Sequence, residues 1–95
     1  VTLPTTPEML AVAERVVWFS PPEETLRQPY LFLAHVMTYG LIPDVVYVQQ
    51  TLGMAAFEEA LQHAPAGVFD GRSWAYWHLM CGQETPPPLP ERRFS

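Results

Sequence analysis

Apolar residues recur at three- and four-residue intervals along most of this chain, and glycine or proline interrupts them at helix-length distances. In "TTPEMLAVAERVVWFS", Met9, Val12, Ala13, Val16 and Val17 share one face while Glu14 and Arg15 lie opposite. The T-x-x-E spacing from Thr5 to Glu8 predicts a capping box at the start of this helix, and "SPP" at 20–22 predicts its end. "EETLRQ" follows as a single turn, and Pro29 stands where the first residue of a new helix is expected. That helix, "PYLFLAHVMTY" (29–39), is apolar almost all round, the pattern of the central member of a bundle. Gly40 is placed to cap it in the left-handed conformation.

Pro43 opens "PDVVYVQQTL" (43–52), and Gly53 separates it from "MAAFEEALQHA" (54–64). The latter turns Met54, Phe57, Leu61 and Ala64 inward and Glu58, Glu59 and Gln62 outward. "VVYV" has strand propensity, but it is short and has no hairpin partner beside it, so the segment reads as helix. Asp70 is positioned to cap "GRSWAYWHLMC" (71–81), which Gly82 ends. The fold expected is all-α, a compact bundle of four to five short helices over residues 1–82. "QETPPPLPERRFS" (83–95) should form a polyproline or extended C-terminal arm.

Length and composition narrow the picture. Ninety-five residues make one domain, able to bury roughly 60–65% of the surface its unfolded chain exposes. Hydrophobic residues are 48% and charged residues only 16%, so the chain can fold, yet its surface is poor in charge and suits a covering partner. The net charge is −5, the five cations are all arginine, and only Arg92 and Arg93 are adjacent. Phosphate neutralisation needs several cations on one face, so nucleic-acid binding by this chain alone is not expected. An acidic body fits a basic partner. The absence of lysine and asparagine, with abundant alanine and proline, fits a GC-rich bacterial genome. One cysteine permits no internal disulfide. No secretory pattern or long apolar run is visible, so the expected location is the cytoplasm.

The densest chemistry is "RSWAYWHLMC" (72–81), where His78 and Cys81 stand one helical turn apart. Two ligands do not make a zinc site, which needs three or four. A catalytic thiolate needs an electropositive, partly open setting, whereas Cys81 has tryptophan neighbours and the negative end of its helix. The pair reads as packing. His35 reads as a core histidine bonded to a carbonyl or a tyrosine. The doublets Glu23–Glu24 and Glu58–Glu59 diverge by ~100° on a helix and read as solvated faces. No phosphate loop, G-x-S-x-G or H-E-x-x-H is present. No enzyme, metal or cofactor is expected.

Two features point to binding. "DVVYVQQTLGMAAFEEALQHA" has the outline of a helix-turn-helix, but its second helix begins "MAAFEEAL", with carboxylates where phosphate-binding cations belong. "PPLPER" spells P-x-x-P-x-R, the spacing read by aromatic grooves with an acidic rim, or a stiff arm that lies on the chain's own aromatics. Candidate partner-binding residues are therefore Trp74, Tyr76, Trp77, Pro87, Pro90, Arg92, Arg93 and Phe94.

At "WFSPPEETLRQPYLFLAHVMTYG" and at "GVFDGRSWAYWHL…PPPLPERRF", the chain resembles a group of small uncharacterised bacterial proteins. They share the Trp-Phe and PPEE stretch, the V-M-T-Y-G helix end, the R-S-W-x-Y-W helix and a proline–arginine tail. The resemblance covers roughly residues 15 to 94. Some of the group are similar to antitoxins paired with nucleotidyltransferase-like toxins. It implies a non-enzymatic, antitoxin-like module that binds or regulates such a partner, and it carries no site residues. The alternative is a helix-turn-helix-like DNA-binding transcriptional regulator acting as a homodimer.

Overall fold

The computed structural model describes residues 2–90, and all regular structure within them is helical. Six helices follow in order: α1 (Pro7–Val16), α2 (Pro22–Leu26), α3 (Pro29–Tyr39), α4 (Ile42–Leu52), α5 (Met54–Gln62) and α6 (Gly71–Met80). The five expected helices and the single turn at "EETLRQ" account for all six. The arm residues Arg92, Arg93 and Phe94 lie outside the described part.

Proline sets the helix starts. Pro7, Pro22 and Pro29 each open a helix, where a missing amide hydrogen and a fixed φ carry no penalty. That placement corrects the expected capping box. With Pro7 as the first helical residue, Thr6 rather than Thr5 becomes the cap, and its hydroxyl accepts from the Met9 amide at 3.2 Å. Asp70 caps α6 as expected, its Oδ1 accepting from the Ser73 amide at 2.7 Å.

The expected left-handed cap at Gly40 is not observed. Gly40 is extended (φ −66°, ψ 144°), and glycine is needed there for another reason. A Cβ at this position would lie 2.6 Å from the Val36 carbonyl oxygen, which accepts the Gly40 amide. The left-handed cap occurs instead at Gly82 (φ 88°). There the Gln83 amide reaches the His78 carbonyl at 2.8 Å and the Gly82 amide the Leu79 carbonyl at 3.0 Å. This paired pattern satisfies two of the orphan carbonyls that end α6.

α3 is the central helix. Phe32, Leu33, Ala34, His35, Val36 and Met37 are buried in succession, so every side of the helix meets a neighbour. It packs against α1, α2, α4, α5 and α6. The core around it combines Met9, Val12, Ala13 and Val17 of the first helix and its end with Val48, Phe57, Leu61, Trp74 and Trp77. Truncating a fully buried aromatic such as Phe32 to alanine costs about 3–5 kcal/mol in comparable cores.

Two side-chain pairs, each linking residues 29 positions apart, are among the polar ties that cross the bundle. The Tyr30 hydroxyl donates to Glu59 Oε1 at 2.9 Å, joining α3 to α5. The bond holds the Glu59 carboxyl below its usual range and keeps the Tyr30 phenol protonated above its own. The second tie runs from Arg15 on α1 to Asp44 in the first turn of α4. α4 and α6 both pack on α3 and α5 but make at most marginal contact with one another. That gap shapes the surface.

Candidate functional site

The aromatic helix splits into two faces. Trp74, Trp77 and His78 are buried, whereas Tyr76, Leu79 and Met80 are exposed. Trp74 is 5% exposed and Trp77 6%, so these two candidate contact residues belong to the core, while Tyr76 at 52% faces outward. Trp77 meets Phe57 edge-on at 5.0 Å, and its indole N–H donates to the Met37 carbonyl at 2.8 Å. The Trp74 ring lies 5.3 Å from Phe69 and 4.2 Å from the His78 ring.

Trp74 also holds the start of the arm. Its indole N–H donates to the Pro87 carbonyl at 2.8 Å, and Leu89 packs against the core. The described part of the arm therefore docks on its own chain. Pro87 is exposed and Pro90 half-buried.

His78 and Cys81 do not form a reactive pair. The His78 Nδ1 lies 2.7 Å from the Trp74 carbonyl, which can only accept, so that nitrogen carries a proton. Burial, with the Glu58 charge nearby, pushes the Cys81 thiol above its usual value and disfavours the thiolate. His35 follows the same pattern as His78. Its Nδ1 donates to the Leu31 carbonyl at 2.8 Å, and its ring sits 5.9 Å from Phe19 and 5.7 Å from Tyr39. Among the described residues, no three of His, Cys, Asp and Glu gather where a metal could bind. No helix among them is long and apolar enough to cross a membrane.

Two of the surface recesses lie among the exposed apolar side chains. The larger, of about 480 Å³, is a trough between α4 and α6. Ile42, Val46 and Gln49 form one wall; Arg72, Tyr76 and Met80 form the other. Its floor is Met37, Val45, Met54 and Trp77. The smaller, of about 320 Å³, is bordered by Trp18, Phe19, His35 and Tyr39 beside Arg15. Tyr39, Leu41 and Ile42, all exposed, run from the smaller recess to the larger at the α3–α4 junction.

The two recesses thus belong to one exposed apolar band. Trp18 at one end and Ile42 at the centre are each 80% exposed, and it is the grouping of such side chains, not any one of them, that marks an interaction surface. Sequence reasoning missed this band, apart from Tyr76. A signal was present in α6, where Arg72, Tyr76 and Met80 follow at i, i+4 and i+8 beside the buried stripe of Trp74, Trp77 and His78. Such a helix is apolar on two faces and can bury only one against its own bundle.

The helix-turn-helix outline has a structural counterpart in α4 and α5, joined at Gly53. α5 buries Ala56, Phe57, Ala60 and Leu61 and exposes Ala55, Glu58, Gln62 and His63. Its outward face carries no arginine or lysine. Compared with known protein families, characterised proteins and solved structures, the chain has no match.

Proposed function

We propose that this chain is a non-enzymatic protein-binding module that engages its partner through the apolar band from Trp18 to Met80. The observation that carries this reading is the exposure of large apolar side chains along a continuous path. Trp18, Phe19, Tyr39, Leu41, Ile42, Tyr76 and Met80 are all more than half exposed. Leaving such a surface in water forgoes about 25 cal/mol for each square ångström a partner would cover. Tryptophan, tyrosine and methionine are also residue types that concentrate at interfaces.

The net charge of −5 defines the rest of the partner. Glu8, Glu14, Glu23, Glu24 and Glu58 are exposed, so the body as a whole attracts a basic partner, while Arg15 and Arg72 are the charged residues that line the two recesses themselves. A nucleotidyltransferase-like toxin, the partner class implied by the resemblance of the sequence, has reason to carry such a basic surface for its anionic substrate. In that setting the chain acts as an antitoxin-like mask.

The test is recovery of the protein from its native locus with whatever binds it stoichiometrically. Trp18→Ser and Ile42→Asp alter only exposed positions, so both variants should stay folded and lose the partner. A clean monomer, or a partner retained equally by both variants, would sink the proposal.

A further inference from the structure

The trough between α4 and α6 has the dimensions and lining of a seat for one helix. Its walls are helical themselves. Ile42, Val46 and Gln49 stand at i, i+4 and i+7 on α4, and Arg72, Tyr76 and Met80 at i, i+4 and i+8 on α6. At 1.5 Å per residue each wall runs about 10–12 Å, which is two turns of a helix laid between them. α4 and α6 flank this space while packing on α3 and α5, so the trough occupies the place of a helix missing from the bundle.

The lining decides what kind of occupant fits. Three of the chain's four methionines, Met37, Met54 and Met80, line the trough. Unbranched, polarisable side chains of this kind adapt to the ridges of an incoming helix. The wall residues Ile42, Val46, Arg72, Tyr76 and Met80 are all exposed, so the trough is open along its length. A small ligand needs most of its surface enclosed, which an open trough does not provide. An amphipathic helix needs only one face covered.

Charge supplies the remaining constraint. Arg72 is the one charged residue lining the trough; the capping Asp70 feels its charge, but no ion pair joins it to a carboxylate among the described residues. We infer that the trough binds an amphipathic helix of the partner protein, with an apolar i, i+4, i+7 stripe and an acidic residue that meets Arg72. This inference rests on the protein-binding reading and assigns one part of the band to one element of the partner.

The experiment uses the full chain and a synthetic probe. The probe is a capped helix-forming peptide of about 16 residues. It has leucines at i, i+4 and i+7, a single glutamate one turn beyond the last leucine, and only alanine and glutamine elsewhere. Its control carries lysine in place of the glutamate. Methionine methyl resonances are followed by NMR during titration.

The glutamate peptide should shift the Met37, Met54 and Met80 methyls and leave the fully buried Met9 methyl in place. Ile42→Asp should weaken that binding about tenfold or more, and Arg72→Glu should transfer the preference to the lysine peptide. Unmoved methyls, or equal binding of both peptides, would overturn the inference. So would the same methyl shifts on concentrating the protein alone, because a second copy would then occupy the trough. A native partner that contacts Trp18 and Phe19 but leaves these methyls unmoved overturns the helix seat and keeps the protein-binding reading. Failure to recover any native partner removes that reading instead.

Discussion

The indole N–H of Trp77 donates to the Met37 carbonyl at 2.8 Å, tying α6 to the last turn of α3 across 40 positions. Met37 is among the last four carbonyls of α3, which a helix cannot satisfy internally. A side chain from a distant element therefore caps the central helix. It also fixes the ring that floors the trough.

Trp77→Phe keeps an aromatic ring in contact with Phe57 but removes this donor. The loss of the bond, with a buried carbonyl left behind and a smaller ring in the cavity, should cost about 2–4 kcal/mol. Tyr76→Phe, on the exposed side of the same helix, should stay within ~0.5 kcal/mol of the parent. Urea unfolding midpoints at equal slope check both. Equal effects for the two variants would contradict the capping role.

Arg15 and Asp44 form an asymmetric pair. The Arg15 Nε lies 3.2 Å from Asp44 Oδ1 and 3.4 Å from Oδ2, with Nη2 also bonded to Oδ1. The Asp44 side chain is 6% exposed, against 52% for Arg15. Removing the arginine strands a buried carboxylate; removing the carboxylate lets the arginine turn to water. Arg15→Met should therefore cost about 1–3 kcal/mol, discounted for the exposed cation, and more than Asp44→Leu. The double variant should recover most of the loss. A double-mutant cycle in urea measures the coupling, and strict additivity of the two changes would refute it.

The helices were legible because periodicity, proline and glycine act locally. Pro29 and the all-round apolar run after it were enough to identify α3 as the central helix. The ties between elements were not legible. Nothing in the spacing of Arg15 and Asp44, or of Trp77 and Met37, says that these residues meet, because that depends on how helices stack. Gly40 shows the same limit, since its need for glycine comes from the Val36 carbonyl rather than from a left-handed turn. The aromatic stretch of α6 offers Trp74, Tyr76 and Trp77 as candidate contacts, and only packing shows that Trp74 and Trp77 are buried while Tyr76 faces outward. Periodicity reports two apolar faces there without saying which one the bundle covers.

Asp70 gives the fold a predictable acid response. The Ser73 amide bonds to its carboxylate, and with the Ser73 hydroxyl and the Arg72 charge nearby it holds the pKa below the ordinary value against a small desolvation cost. A carboxyl with a folded pKa below its unfolded one stabilises the protein above the unfolded value. That contribution disappears as pH falls through the folded value. Asp70→Ala should cost about 1 kcal/mol at pH 7 through loss of the cap. Asp70→Asn keeps a capping oxygen but no charge. The advantage of the parent over Asp70→Asn should be present at pH 7 and fade below about pH 4. A gap between them that widens toward acid would reverse the assigned sign.

Cys81 sits one turn from His78, an arrangement that in an open, electropositive site would activate a thiol. Here the histidine's Nδ1 proton is committed to the Trp74 carbonyl, and burial with the Glu58 charge raises the thiol's pKa. Thiolate is the reactive form, so a raised pKa lowers its share at neutral pH and slows alkylation. Iodoacetamide should modify Cys81 in the folded protein at pH 7.5 more slowly than in the same chain unfolded in urea, after correction for the denaturant. The difference should narrow as pH rises toward the folded thiol's value, because thiolate then accumulates in both states. Cys81→Ser should leave stability within about 1 kcal/mol, as expected for a half-buried thiol with a packing role. Faster alkylation in the folded state would identify an activated cysteine and restore the pair as a candidate for chemistry.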